Sequence, residues 1–197
     1  MKRLFDLVVG SLLIILFSPL LIGTAVVVLS VLGRPVIFTQ RRPGLAEKSF
    51  TIFKYRTMHN AYAPDGLLLP DKERITRVGA FLRSTSLDEL PALFNVIKGD
   101  MSLVGPRPLL MDYLPLYSDF QRRRHEIRPG LTGWAQVNGR NQMSWPEKFE
   151  LDVWYIEHQS FWLDLKILAL TVLRVLRRDG VSQDNHVSME TFKGNQS

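Results

Sequence analysis

A predominantly helical α+β fold carried on an N-terminal membrane helix is what this sequence predicts, and three features predict it. The run from Leu7 to Gly33 carries no charge and is interrupted near its middle by Ser18-Pro19. Two short β-branched and aromatic segments, Val36–Gln40 and Phe50–Tyr55, flank the turn residues Arg41-Arg42-Pro43-Gly44, the pattern of a small β-hairpin. The rest alternates helical stretches with Pro and Gly punctuation and ends in the apolar segment Phe161–Arg178. At 197 residues, 46% hydrophobic and 22% charged, the chain has the size of one ordinary domain and the composition of a folded one. Cysteine is absent, which excludes disulfides, thiolate zinc sites and a cysteine nucleophile. His59, His125, His158 and His186 are too dispersed for a metal-ligand pair on one helical turn. No P-loop or dinucleotide-binding glycine fingerprint occurs.

The first element is the uncharged run. As a straight helix it is about 40 Å long, against a hydrocarbon core of about 30 Å. A cleaved signal peptide fits poorly, because Asp6 sits in its flank and the apolar run is too long. A simple span is the plain alternative. Proline in a helix interior removes one backbone hydrogen bond and clashes with the preceding turn, and each arm beside Ser18-Pro19 suits half a bilayer. The net charge of +6 lies wholly within residues 1–60, which hold eight basic residues against Asp6 and Glu47. Lys2 and Arg3 precede the run, and Arg34, Arg41, Arg42, Lys48, Lys54 and Arg56 follow it. A span places one basic flank outside the cytoplasm, against the positive-inside tendency. A helix broken at Ser18 and Pro19 that returns through the face it entered keeps both flanks inside, with Ser18 serving carbonyls freed by the proline. The predicted organisation is a re-entrant membrane anchor over residues 1–34 and a membrane-associated domain over 35–197, facing the cytoplasm. Basic flanks beside an apolar segment point to anionic lipid rather than to nucleic acid.

After the hairpin, residues 61–74 read as a mobile polar loop around Pro64-Asp65-Gly66. A helix is expected over 86–98, ending at Gly99, another over about 112–126, ending before Pro129, and a third over 145–158. Phe161–Arg178 has a wide apolar face, an aromatic start and a basic finish, as in a helix lying in the membrane interface; an ordinary core helix reads the same way.

Chemistry concentrates in Leu82–Pro108. Ser86 and Glu89 have the spacing of a capping box, which by itself accounts for the acidic pair Asp88-Glu89. The same position at a helix start also suits an anion site, where a carboxylate could hold Mg²⁺ or attack phosphorus. Arg83 lies just upstream. Arg107 sits between two prolines and is presented rigidly, as a phosphate contact or as part of a plain surface turn. Gly130, Gly133, Trp134, Asn138 and Arg140 form a second patch, readable as a loop approaching a base and a phosphate or as ordinary packing. Lys54-Tyr55-Arg56 closes a strand and adds charge either to a pyrophosphate pocket or to the membrane interface. Asp152 is a lone acid among apolar residues, able to pair with one of these arginines.

Together, RPGL at 42–45, KYRTM at 54–58, the stretch from Arg83 to Leu110, RPGLTGWAQVNGRN at 128–141 and the FELDVWY…FWLDLKI tail resemble the bacterial sugar transferase family. Its members are monotopic polyprenyl-phosphate phosphoglycosyl transferases, and the chain is similar to their small PglC-type minimal catalytic unit, without the additional N-terminal membrane helices of larger members. The resemblance implies transfer of a sugar 1-phosphate from a UDP-sugar to polyprenyl (undecaprenyl) phosphate with release of UMP, the first step of glycoconjugate assembly at the cytoplasmic face of the bacterial inner membrane. It implies Asp88 as the nucleophile of a covalent intermediate, Glu89 as its partner acid, and Mg²⁺ held through both. Lys54, Arg83, Arg107, Arg140 and Asp152 become substrate-contacting or pocket-ordering residues, and Ser18-Pro19 the helix break. Expected partners are the UDP-sugar, the lipid carrier and membrane lipids, without nucleic acid, and with a homodimer or pathway glycosyltransferases as further company. The alternatives are a membrane-anchored scaffold without turnover, in which Asp88-Glu89 is merely a cap, and a soluble nucleic-acid binder.

Overall fold

The computed structural model describes residues 1–139, 143–177 and 191–194. Two helices, α1 (Lys2–Leu16) and α2 (Ser18–Leu32), form the N-terminal run. They meet at Phe17 and are bent by 61°, and no single helix among the described residues is long and apolar enough to cross a membrane. The proline explains the break. Pro19 has no N–H for the Ile15 carbonyl four residues back, and the Ser18 hydroxyl donates to that oxygen at 2.8 Å instead.

The hairpin follows, with β1 (Ile37–Pro43) antiparallel to β2 (Ser49–Tyr55). The first strand runs through the expected turn. The reversal is made by Gly44 to Lys48, where Ala46 and Glu47 adopt left-handed φ of 50° and 61° and the Gly44 N–H donates to the Lys48 carbonyl. Residues 61–74 are less polar at the surface than expected. Tyr62 bridges to Leu68, Tyr62, Leu67 and Leu68 are exposed, and the segment ends in the single turn α3 (Asp71–Arg74). Next come α4 (Arg77–Ser84), α5 (Ala92–Lys98), β3 (Ser102–Val104), α6 (Asp119–Arg122), β4 (Gly130–Thr132), α7 (Trp134–Asn138), α8 (Trp145–Glu157) and α9 (Phe161–Arg177). The helix expected over 112–126 is broken into α6 and flanking 3₁₀ turns by Pro115 and the extended Tyr117-Ser118. The one expected over 145–158 forms as α8, closed at its start by a Ser144–Glu147 capping box.

The core gathers Ile52, Leu93, Val96, Met101, Leu103, Tyr155 and Ile167. Asn95, fully buried, fixes α5 to the hairpin by accepting from the Phe53 N–H (3.0 Å) and donating to the Thr51 carbonyl (2.7 Å). Both ends of the bent helix pair are tied to this body. Arg3 donates to the Val96 and Ile97 carbonyls at the end of α5. Buried Asp6 accepts from Ser102 and from the Leu103 N–H, and Lys2 pairs with Asp164. Just past the break Tyr55 donates to the Leu21 carbonyl, and at the far end Arg56 donates to the Leu32 and Arg34 carbonyls.

Candidate active site

The hairpin register puts Arg42, Ile52 and Lys54 on one face, because Arg42 pairs with Phe50 and side chains two apart share a side. Tyr55, on the opposite face, holds α2. Above the Lys54 face lie the 3₁₀ turn Leu87–Glu89 and the Gly105-Pro106-Arg107-Pro108 segment. Lys54 donates to Glu89 Oε1 at 2.7 Å, and Arg107 donates to the same oxygen at 2.6 Å and to Oε2 at 3.3 Å. Arg42, Lys54, Glu89 and Arg107 rim a cavity of ≈ 80 Å³ floored by Ile52, Ala92, Met101 and Leu131.

Asp88 and Glu89 are adjacent yet differently served. Burial alone pushes Glu89 up, but Arg107 and then Lys54 outweigh it and hold Glu89 well below the usual carboxylate range. Asp88 is 8% exposed and, among the described residues, accepts no hydrogen bond. Burial, reinforced by the Glu89 charge, pushes it up to about 6 against the pull of Lys54, Arg83 and Arg107. Arg83 is set in place by donating to Thr57 Oγ1 at 3.1 Å.

The capping box expected at Ser86 does not form. Ser86 is left-handed (φ 57°) and makes no side-chain cap, and the helix starts only at Ala92, after Pro91. The array of free N–H groups expected beside Asp88 is therefore displaced along the chain. A non-glycine residue at this φ costs about 1–3 kcal/mol unless its surroundings enforce it.

Arg107 is positioned from behind. The strands β3 and β4 run parallel, and Gly105 donates to the Thr132 carbonyl while Gly130 donates to the Pro106 carbonyl. A Cβ on Gly130 would meet the Gly105 nitrogen at 2.1 Å. The glycines expected to form an open loop thus serve close strand packing, with Gly130 and Leu131 reaching the cavity wall. Asp152 does not face the cavity. It forms a buried pair with Arg124 at 2.7 Å, whose second bond from Nη2 goes to the Arg107 carbonyl at 2.8 Å. Trp134 stacks on Trp154 at 5.2 Å as a packing anchor. Arg140, and Arg178 at the end of the last segment, lie outside the described residues.

Two contributors escaped the sequence reading as site residues. Arg42, held by Gln40 at 2.6 Å, was visible in principle from the hairpin register, and Arg124 only from the tertiary contact. No cluster of three or more His, Asp or Glu side chains able to hold a metal occurs among the described residues. Mg²⁺ typically takes one or two carboxylates and completes its shell with substrate phosphate and water. Asp88, whose oxygens accept no hydrogen bond here, fits that role, whereas both Glu89 oxygens are engaged by cations.

A model of the bacterial sugar transferase family matches residues 1–178. The chain is 57% identical over 194 residues to the uncharacterized sugar transferase EpsL of Bacillus subtilis strain 168, covering 98% of this chain and 96% of that one. It is 44% identical over 183 residues to the UDP-glucose:undecaprenyl-phosphate glucose-1-phosphate transferase of Klebsiella pneumoniae, covering 88% of this chain and 39% of that one. It is 41% identical over 197 residues to the undecaprenyl-phosphate galactose phosphotransferase of Salmonella typhimurium, covering 91% and 41%. The chain therefore spans about two fifths of the length of these two relatives and nearly all of the Bacillus one. With the family pattern running from α1 to the end of α9, and the polar cavity lying inside it, the chain belongs to the bacterial sugar transferase family.

Proposed function

We propose that the chain transfers a sugar 1-phosphate from a UDP-sugar to polyprenyl phosphate, with Asp88 as nucleophile. The observation that carries this reading is the unequal treatment of two neighbouring carboxylates. Glu89 is neutralised by Lys54 and Arg107, while Asp88 is buried, accepts no hydrogen bond among the described residues and is pushed up to about 6 by burial. Environments that push two acids apart in pKa separate their roles. A desolvated carboxylate ionised at neutral pH is a competent nucleophile, and Arg42, Lys54, Arg83 and Arg107 supply the positive surroundings that a diphosphate needs.

In the first step an Asp88 oxygen bonds to the β-phosphorus of the donor, and the bond from that phosphorus to the oxygen bridging to the α-phosphate breaks. UMP leaves with the electron pair. In the second step a phosphate oxygen of the lipid carrier attacks the same phosphorus and displaces the Asp88 carboxylate, giving the polyprenyl diphosphate sugar. Glu89 anchors Lys54 and Arg107 where the departing phosphate gathers charge. Mg²⁺, held by Asp88 with the donor diphosphate and with Glu89 next to it, would neutralise phosphate charge. Asp88 and Arg83 do not line the ≈ 80 Å³ cavity, so a donor that reaches Asp88 extends beyond it.

The lipid carrier places this chemistry at a membrane surface. The outer faces of α1 and α2 expose Leu4, Val8, Leu12, Ile15, Leu16, Ile22 and Val26, more apolar surface than a water-soluble domain tolerates. Both ends of the pair attach to one body, which supports a re-entrant anchor over residues 1–34 and a catalytic unit on the cytoplasmic face. The test is UMP release by detergent-solubilised full-length protein with Mg²⁺, undecaprenyl phosphate and a panel of UDP-sugars, beside Asp88→Asn. The expected result is UMP from one donor, abolished in the variant, and retention of labelled sugar phosphate on the wild type when the carrier is withheld. Equal release by the folded variant would remove Asp88 from the nucleophile role.

A further inference from the structure

Phe192 is 4% exposed and packs into a cluster of aromatic rings far along the chain from the cavity. Its ring stacks on Tyr117 at 5.9 Å and meets Phe149 edge-on at 5.2 Å, and its backbone N–H donates to the Tyr113 hydroxyl at 3.2 Å. The Arg124 guanidinium lies over the rings of Tyr117 and Phe149, at 5.8 and 5.4 Å from their centroids. Arg124 is 3% exposed, and its Nη1 donates to the Tyr117 hydroxyl at 3.1 Å. Its Nη2 is shared between Asp152 (2.7 Å) and the Arg107 carbonyl (2.8 Å). Arg107 in turn grips Glu89 across the cavity mouth.

We propose that Phe192 is a positioning residue: it packs against Tyr117 and Phe149, the two rings that lie on Arg124, and Arg124 fixes the backbone that carries Arg107 into the cavity. The proposal rests on the transferase reading for its catalytic readout. The physics is that of a buried charge. Arg124 keeps its short bonds to Asp152 and to the Arg107 carbonyl only while water is excluded from it, and rings on its π faces replace hydration at modest cost. Arg107 lies between two prolines, so its φ is restricted and a shift of its carbonyl moves the whole residue. Phe192 itself does not line the cavity; an effect on donor handling that disappears in the Arg124→Lys background passes through Arg124 rather than through Leu109, which packs on the same aromatic cluster and lines the cavity.

The experiment is a double-mutant cycle on solubilised full-length protein, with Phe192→Ala, Arg124→Lys and the pair. Phe192→Ala is expected to raise the KM for the UDP-sugar about tenfold with kcat per folded enzyme nearly unchanged. Phe192→Leu, which keeps most of the apolar volume, is expected to recover most of the loss. Arg124→Lys retains the charge opposite Asp152 but cannot also reach the Arg107 carbonyl, so it should raise the same KM. The pair should be no worse than Arg124→Lys alone, because both act on one link. A lowered Tm with an unchanged KM in Phe192→Ala, or independent additive effects on KM, would overturn the proposal. A wild type that turns over no donor defeats the transferase reading instead. The cycle is then read on UDP affinity by calorimetry, where equal affinity in wild type and Phe192→Ala overturns the positioning role.

Discussion

Asp88 and Glu89 share a turn but not a fate, and the difference makes Asp88 a source of instability as well as reactivity. Its carboxyl titrates near 6 in the folded protein, against 3.8 unperturbed, mainly through burial. A carboxylate raised on folding favours the native state only when protonated, so its ionisation destabilises the fold as pH rises through about 6, and the effect vanishes below the unfolded value. Asp88→Asn should therefore abolish turnover while stabilising the protein above pH 7 by about 2 kcal/mol. That advantage should shrink between pH 6 and 4, as read by thermal unfolding across pH; a variant less stable than wild type at pH 8 would contradict it. The same titration predicts that kcat/KM for the UDP-sugar in the wild type rises with pH through an apparent value near 6, a property of the Asp88–Glu89 pair taken together. At the opposite side of the mouth, Arg107→Lys keeps the charge but loses the two-pronged grip on Glu89. A fall of about ten- to a hundredfold in kcat/KM is expected, since lysine cannot reproduce a bidentate contact.

Strand pairing decides how accurately Arg107 is delivered. Between β3 and β4, Gly130 approaches the Gly105 backbone so closely that a Cβ would sit 2.1 Å from its nitrogen and 2.3 Å from the Thr132 carbonyl. Gly130→Ala must push the strands apart, at a cost of about 1–3 kcal/mol or more, and should lower both Tm and the donor affinity that depends on Arg107. A variant with wild-type Tm would show that the strands separate freely. Elements whose cause is local were legible in the sequence. The Ser18-Pro19 break follows from a missing N–H, the hairpin from β-branched and aromatic composition, and the end of α5 from Gly99, which adopts φ 95°. Where a distant partner decides, local pattern misled. Ser86 and Glu89 have the spacing of a cap, but Glu89 is claimed by Lys54 and Arg107, which lie 35 and 18 residues away. Asp152 was recognisable as an acid needing an arginine. That Arg124 is this arginine, and that it also holds Arg107, required the packing of α8 against the Arg123–His125 turn.

For the molecule as a whole, the question is how it meets the bilayer, and two features answer together. The helix α9 buries Ile167 and Asp164, the latter bound by Lys2 and Tyr155, half-buries Thr171, bound by Thr132, and exposes Trp162, Val172, Leu173 and Leu176 beside Lys166 and Arg177. The bent N-terminal pair is held at both ends, by Lys2, Arg3 and Asp6 at the start and by Arg56 at the finish. A span would carry one of these ends across about 30 Å of hydrocarbon and break every contact there, including the buried Asp6 bonds. Returning through the same face keeps them all. Both ends should therefore lie on one side of the membrane. The chain lacks cysteine, so one appended before Met1 and another at exposed Arg34 report without background. In intact cells neither should react with an impermeant label, and both should react once the membrane is opened. Reaction at one position only would make the run a span, and the docking of α1 on the catalytic body would then have to be abandoned with it.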